Sequence, residues 1–301
     1  MTFKKVFVAA VTSLMAMITL THAAFAAERI GGPVEKGIWL QEAANEQARR
    51  VADFNEFLLY VIVAITIFVF ALMFFIMFRF RAKANPVPSK TSHNAPLEFV
   101  WTVLPILILV GIGFWSLPLL FFQEEIPETE FAIRVQGNQW NWTYTYVDHD
   151  DIEFTATVVP DEAFSDAAVM ASYNNDLSGF LGRPAKMNAR LLDTDLRLVV
   201  PENTKIKLLI GASDVIHSWT VPSFGVKMDA VPGRLNETWF EVDQPGTYYG
   251  QCSELCGKDH AFMPIAVEVV SREDFAKWVE LAKANYASNV DVSAPRVALG
   301  R

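Results

Sequence analysis

Cysteine and histidine are scarce in this chain of 301 residues, which contains two cysteines and five histidines. No Cys-x-x-Cys-His motif occurs, so the sequence has no attachment site for a c-type haem. Basic residues are also outnumbered, because 25 Lys and Arg stand against 34 Asp and Glu. The acidity is concentrated in residues 121–301, whose formal charge is about −12. This balance disfavours a nucleic-acid ligand and favours a basic protein partner.

Long apolar runs, in contrast, are plentiful, and the first lies at the N-terminus. Met1–Ala26 has a positively charged start, an apolar core over Val6–Leu20 and a small-residue cleavage site at Ala24-Phe25-Ala26. His22-Ala23-Ala24 is an alternative cleavage site. This pattern is typical of a secretory signal peptide. Residues 27–56 should then form an N-terminal segment outside the cytoplasm.

Two further apolar runs, Phe57–Phe78 and Phe99–Phe122, are each long enough to cross a bilayer. They predict a transmembrane helical hairpin over residues 57–122. The loop between them, residues 79–96, is rich in Lys and Arg, which places it in the cytoplasm. The alternative, buried helices of a soluble protein, agrees less well with the signal peptide. The large C-terminal part should therefore lie outside the cytoplasm.

Short alternating stretches rich in Val, Ile, Tyr, Trp and Thr fill residues 123–287 and predict an all-β domain. Within it, Asp161–Asp195 is polar and weakly patterned, and is expected to be an insertion. Ser271 should cap a helix that runs to about Tyr286. Residues 288–301 are expected to be a tail. The predicted strands are Phe131–Gln136, Trp140–Val147, Ile152–Val159, Leu196–Val200, Thr204–Ala212, Glu237–Val242, Thr247–Gly250 and Ile265–Val270.

Both cysteines lie on one short stretch that also carries a histidine and a methionine: Cys252, Cys256, His260 and Met263. Thiolate, imidazole and thioether ligands select copper or zinc, and the thioether favours copper. Two cysteines suit a pair of coppers bridged by both sulfurs, with His217 as the second histidine. A structural disulfide and a zinc site remain as alternatives, although neither accounts for Met263.

The order Cys252-Ser-Glu-Leu-Cys256-Gly-x-x-His260-x-x-Met263, preceded by Asp214-Val-Ile-His217-Ser-Trp, resembles subunit II of the haem–copper cytochrome c oxidases. The resemblance implies a cupredoxin-like Greek-key barrel with a binuclear copper A centre. It assigns both cysteines to both coppers, His217 and Met263 to one copper, and His260 with the Glu254 carbonyl to the other. It also implies that the Glu254 side chain binds Mg²⁺ shared with subunit I.

As a function, the resemblance implies the electron-entry subunit of a cytochrome c oxidase. Electrons would come from cytochrome c, or from a membrane-bound c-type cytochrome, and pass to haem in subunit I. Reduction of oxygen to water would there be coupled to proton pumping. The other expected partners are subunit III and membrane lipid, and the location is a bacterial inner membrane with the copper domain on the periplasmic side. Subunit II of a quinol oxidase, which lacks the copper ligands, and a tethered copper carrier are the alternatives.

Two further residues take roles from the same resemblance. Gln139–Tyr146 has an aromatic residue at every second position, and Trp140 matches the tryptophan through which electrons enter. The purely structural alternative is a strand with one buried aromatic face. Thr145 stands where the family usually has Glu, and Asn141 where it usually has Tyr. Glu98, before the second apolar run, matches the entrance of a proton pathway, although a solvated helix end would look the same.

Overall fold

The computed structural model describes residues 31–287 except Glu35 and Pro88. The expected signal peptide (1–26) and tail (288–301) lie outside the described residues. Two long helices come first, α1 (Glu46–Arg79) and α2 (Ala95–Glu124). Among the described residues, a domain of ten strands, three shorter α-helices and two short 3-10 helices follows them.

Helices α1 and α2 form the expected hairpin, and both are long and apolar enough to cross a membrane. Helix α1 has 34 residues, about 51 Å at 1.5 Å per residue, and so extends well beyond the hydrocarbon core. The Asn45 side chain caps it by accepting a hydrogen bond from the Ala48 N–H. The two helices pack together where the Phe57 and Trp115 rings stack, 4.7 Å between centroids.

The strands form three hydrogen-bonded sheets around one large hydrophobic core, and a second, small cluster contains Ala189, Tyr249 and Ala266. The order is β3-β2-β1-β5-β8 in the first, β4-β10-β9 in the second, and β6-β7 in a two-stranded hairpin. Pairs β1–β5 and β4–β10 are parallel, and the others are antiparallel. The strands are β1 (Phe131–Asn138), β2 (Asn141–Tyr146), β3 (Ile152–Ala156), β4 (Leu198–Pro201), β5 (Ile206–Ala212), β6 (His217–Val221), β7 (Val226–Ala230), β8 (Asn236–Phe240), β9 (Gly246–Gln251) and β10 (Pro264–Val270).

All eight predicted strands are present, with ends that differ by at most three residues. Trp140 lies just outside β2, whereas the aromatic residues at 142, 144 and 146 are buried, as expected for the inner face of a strand. The sequence did not predict the hairpin β6–β7. The insertion is not irregular throughout, since it contains α3 (Asp161–Ser165) and α4 (Ala167–Leu181). Helix α5 (Arg272–Tyr286) begins after Ser271, whose hydroxyl accepts from the Asp274 N–H as predicted.

The segment before α1 joins the hairpin to the β domain. The Gly31 carbonyl accepts a hydrogen bond from the Tyr249 N–H at 2.8 Å, and the Ala44 N–H donates to the Ser223 carbonyl at 2.8 Å. The Ala44 carbonyl in turn accepts from the Asp243 N–H at 3.1 Å. These contacts hold the outer end of α1 against the domain that carries the cysteines.

Candidate metal centre

The cysteine-containing loop lies at the tip of an antiparallel strand pair. Strand β9 ends at Gln251, directly before Cys252, and β10 begins at Pro264, directly after Met263. The Ser253 N–H donates to the Ser218 carbonyl at 3.0 Å, which fixes the loop to β6. Because both ends of the loop are held by paired strands, its ligand atoms are placed by the rigid part of the domain.

The two sulfurs are free and buried, and 3.9 Å separates Cys252 Sγ from Cys256 Sγ. Each sulfur has two further soft or carbonyl atoms beside it. His217 Nδ1 lies 3.9 Å from Cys252 Sγ, and the Glu254 carbonyl oxygen lies 3.3 Å from the same sulfur. His260 Nδ1 and Met263 Sδ each lie 3.4 Å from Cys256 Sγ. Every donor predicted from the sequence is therefore gathered around one sulfur pair.

This donor set fits copper by its chemistry. Thiolate, imidazole and thioether are soft or borderline ligands, and a methionine is unusual for zinc. The structure gathers sulfur, nitrogen and carbonyl atoms symmetrically, with two terminal donors beside each sulfur. Among the described residues, His217, Cys252 and Cys256 form the one group of three or more His, Cys, Asp or Glu side chains whose ligand atoms all lie within 4.8 Å of one another, and all three are buried. A paired site accounts for all six donors, whereas one tetrahedral zinc would leave two of them unused.

His217 is oriented by a carboxylate that the sequence analysis did not single out. Asp214 Oδ1 lies 2.9 Å from His217 Nε2, so the Nε2–H donates to it and Nδ1 is left facing the sulfurs. Partial burial raises the pKa of Asp214, but hydrogen bonds from His217 and from the Val215 and Gln139 N–H groups outweigh it and hold the pKa below its ordinary value. The Asp-x-x-His spacing in the sequence could have predicted this contact between Asp214 and His217.

Burial also affects the sulfurs. It raises the pKa of the Cys256 thiol to about 12, and the nearby Cys252 adds to the effect. The metal-free thiol is therefore protonated at neutral pH, and a metal ion has to displace the proton when it binds.

Trp140 contacts the loop directly, although it is only half-buried. Its indole Nε1–H donates to the Cys256 carbonyl at 3.2 Å, and the Gln139 Nε2–H donates to the same oxygen at 2.8 Å. Gly257 adopts a left-handed φ of 122°, and a Cβ there would come within 3.1 Å of both Gln139 and Trp140. The close approach of the two segments thus depends on that glycine. Trp140 was predicted from the sequence, whereas Gln139 was not.

Glu98 lies far along the chain from this centre, in the first turn of α2 at the opposite end of the hairpin. Its Oε1 accepts from the Asn94 N–H at 3.1 Å, while Asn94 Oδ1 accepts from the Leu97 N–H at 3.2 Å. This reciprocal pair caps the helix. Helix capping is therefore sufficient to explain a glutamate at this position, and these contacts do not test a role in a proton pathway.

Replacing Asp214 with asparagine should weaken metal binding without removing a ligand. The amide cannot stabilise the His217 tautomer as the carboxylate does, and loss of such a partner typically costs about 10–100-fold in metal affinity. Competition with a chelator measures this. Asp229→Asn, an exposed carboxylate on the paired strand β7, is the control. Equal affinities for the two variants would contradict the orienting role.

Comparison with known proteins gives two family matches. Residues 33–119 match the model of the cytochrome c oxidase subunit II transmembrane domain, and residues 131–178 and 181–270 match that of its periplasmic domain.

Two individual sequence relatives carry the name of the same family. A probable cytochrome c oxidase subunit 2 of Rickettsia bellii is 45% identical over 93% of this chain and 94% of its own length. Cytochrome c oxidase subunit 2 of Cereibacter sphaeroides is 43% identical over 85% of this chain and 84% of its own. The crystal structure of the periplasmic domain of cytochrome oxidase subunit II from Bradyrhizobium japonicum is 43% identical and covers 53% of this chain and 97% of that one, with a TM-score of 0.44.

Proposed function

Because the chain belongs to the cytochrome c oxidase subunit II family, we propose that Cys252 and Cys256 bridge two copper ions that receive electrons from a c-type cytochrome. The chain is a membrane protein with two transmembrane helices and a periplasmic domain. It is a subunit of a cytochrome c oxidase complex and transfers electrons through the residues of the family's copper A site.

The observation that carries the proposal is the distribution of donors around the sulfur pair. Each sulfur has one histidine Nδ1 and one other donor beside it, at 3.3–3.9 Å. The family resemblance, and not these distances, implies that His217 and Met263 would complete one metal position and that His260 and the Glu254 carbonyl would complete the other. When bound, such a thiolate-bridged copper pair supplies a redox centre that shares one electron between two metal ions.

The protein itself immobilises these donor atoms and shields them from water. His217 is fully buried and is fixed by Asp214, while Cys252 and Cys256 are 7% and 3% exposed. The Trp142 indole N–H donates to the Met263 carbonyl at 3.2 Å, which anchors the end of the loop. Rigid ligands limit the change in geometry when an electron arrives or leaves, and a small change favours fast transfer.

We assign electron entry to Trp140. Its indole is half-buried, so one part meets solvent while its Nε1–H contacts the Cys256 carbonyl. The side chain thus joins the protein surface to a bridging cysteine through a single hydrogen bond. Leu255, which is 77% exposed, and Phe262, which is 44% exposed, give the same loop an apolar surface on which a partner can dock.

Trp140→Leu is expected to slow electron transfer from a reduced c-type cytochrome by about tenfold or more, equivalent to about 1.4 kcal/mol of activation free energy. Copper content should be unchanged, since Trp140 contributes no ligand. Stopped-flow mixing with the copper-loaded full chain measures the rate. A zinc-loaded chain is the control, because zinc has no redox chemistry and should give no transfer. An unchanged rate in Trp140→Leu would show that electrons do not enter through Trp140.

The remaining roles follow from the family. We propose that Glu98 opens a proton pathway into subunit I and that the exposed Glu254 side chain binds Mg²⁺ shared with that subunit. Subunits I and III are the expected partners in a bacterial inner membrane. Cytochrome c, or a membrane-bound c-type cytochrome, is the expected donor. Thr145, which stands where the family usually has Glu, is 5% exposed. Its hydroxyl donates a hydrogen bond to Glu153 Oε2 at 2.9 Å, so the nearby carboxylate belongs to the neighbouring strand β3.

A further inference from the structure

The candidate metal ligands come from two separate parts of the β domain. His217 opens β6, whereas the cysteines lie on the loop between β9 and β10. The contact of the Ser253 N–H with the Ser218 carbonyl joins β6 to the Cys252 end of this loop. The Cys256 end lies beside a third segment, residues 137–139 at the end of β1, which also reaches His217.

Gly137 makes room for the His217 imidazole. A Cβ at this position would lie 2.9 Å from the imidazole Cδ2 and 3.0 Å from Cγ, which is closer than van der Waals contact permits. Gly137 lies within β1 and has no positive φ, so the backbone conformation itself does not require glycine. The requirement is therefore steric, and the side chain that imposes it is a candidate metal ligand.

Neither partner in this contact can move away without losing other contacts. Gly137 is paired with Trp142 on β2 and with Ala212 on β5. His217 is fully buried, and its ring meets the Trp142 indole edge to face, with 5.9 Å between the centroids. The position of the imidazole is thus set by packing against β1 and β2 as well as by its hydrogen bond to Asp214.

Gln139, two residues further along, contacts both halves of the centre. Its backbone N–H donates to Asp214 Oδ2 at 2.7 Å, and Asp214 Oδ1 accepts from His217 Nε2 at 2.9 Å. Its side-chain Nε2–H donates to the Cys256 carbonyl at 2.8 Å. A continuous series of hydrogen bonds therefore joins His217 to Cys256 by way of Gln139.

The hydrogen bonds at the two ends of Gln139 restrict different atoms. The bond from its N–H ends on a carboxylate, and bonds to an ionised acceptor are about twice as strong as neutral ones. The Cys256 carbonyl oxygen has two lone pairs, and Gln139 and Trp140 supply one donor each. Because this oxygen belongs to the backbone of Cys256, its two donors also restrict where the sulfur of that residue can lie.

We propose that the 137–139 segment is a template that sets the position of the His217 imidazole relative to the Cys256 sulfur, with Gly137 and Gln139 as its positioning residues. Gly137 acts on the imidazole through the space that it leaves. Gln139 acts on the sulfur through the Cys256 carbonyl. The proposal rests on the proposed copper function, but the atoms that it positions belong to the chain and can be observed without metal.

Gly137→Ala tests the imidazole side. The methyl group must displace the ring, so we expect the ring-nitrogen resonances of His217 to shift in nuclear magnetic resonance of the metal-free full chain in detergent. Copper affinity, measured by competition with a chelator, should fall by about tenfold or more, as when the orientation of a metal ligand is disturbed. Gly211→Ala on β5 is the matched control, because a Cβ there would meet the Arg234 carbonyl at 3.3 Å and no metal ligand.

Gln139→Leu tests the sulfur side. Leucine keeps the backbone N–H that binds Asp214 and removes the side-chain donor. We expect copper affinity to fall by about three- to tenfold, the effect of one lost hydrogen bond, and the hyperfine pattern in electron paramagnetic resonance to broaden as the Cys256 sulfur becomes less restricted. Gln136→Leu is the matched control on the same strand, because its amide donates to Asn138 and not to the metal-binding loop.

The two substitutions decide the outcome together. If Gly137→Ala does not fold, Gln139→Leu decides alone, since it fills no buried space. Unshifted His217 resonances in folded Gly137→Ala, or a Gln139→Leu chain that binds copper with the affinity and hyperfine pattern of Gln136→Leu, would overturn the template. An unmodified chain that binds no copper pair would instead refute the proposed function, and the His217 resonances of the metal-free chain would still test the template.

Discussion

Cys256→Ser is expected to abolish electron entry, with the rate of cytochrome c oxidation lowered by more than roughly 100-fold. Loss of a group that merely orients a metal ligand already costs about 10–100-fold, and Cys256 is itself a proposed ligand, which lies beside both His260 and Met263. Serine keeps the size of the side chain but offers a hard oxygen that copper binds poorly. The oxidase activity of the assembled complex and its copper content measure the effect.

Ser253→Ala provides the matched control on the same loop. Ser253 is exposed, and its contact with β6 runs through the backbone N–H, which alanine retains. We therefore expect wild-type copper content and activity in that variant. Full activity in Cys256→Ser would mean that the second sulfur is dispensable, and the bridged pair would have to be abandoned.

Arg197→Ala is expected to lower the free energy of unfolding by about 3–5 kcal/mol, the usual cost when one partner of a buried ion pair is removed. Arg197 is 2% exposed and bridges two carboxylates at 2.8 Å each, Asp193 from the insertion and Glu268 on β10. Tyr249 donates a further hydrogen bond to Asp193 at 3.1 Å. Alanine leaves the buried Asp193 without its cation and leaves Glu268 with Arg183 alone, which is partly exposed. Thermal unfolding of the detergent-solubilised chain measures the loss.

Arg272→Ala is the comparison, because this arginine also pairs with a carboxylate but at the surface. Its bond to Glu130 is 2.7 Å long, and both side chains are more than half exposed. Exposed pairs contribute at most about 1 kcal/mol, so only a small change is expected. Similar losses in the two variants would show that the Arg197 cluster does not hold the insertion against β9 and β10.

The clustering of the candidate metal ligands was largely predictable because they are rare residue types on a short stretch of sequence. Cys252, Cys256, His260 and Met263 lie on one loop, and their thiolate, imidazole and thioether groups indicated soft-metal chemistry. His217 was recognised through its surrounding motif. Gln139 was missed because its contact with the Cys256 carbonyl joins segments that are distant in sequence. Asp214 was missed although it lies only three residues before His217, because an aspartate carries no metal signature by itself.

The fold was predictable where a pattern was long or strict. The membrane hairpin followed from uninterrupted apolar runs, and the eight strands followed from alternation. The hairpin β6–β7 was missed because each strand has only five residues and Pro222 and Gly225 separate them. Helix α4 was not predicted because its sequence contains asparagine, serine and glycine, which are weak helix formers. Asp166 nevertheless caps this helix by accepting a hydrogen bond from the Ala168 N–H.

Bridging of two copper ions by Cys252 and Cys256 is tested most directly by electron paramagnetic resonance of the copper-loaded full chain. We expect hyperfine splitting shared over two equivalent copper nuclei, and loss of that pattern in Cys256→Ser. A signal from one isolated copper nucleus would contradict the bridged pair and indicate a tethered single-copper carrier. A chain that takes up no copper would point instead to zinc or to a disulfide.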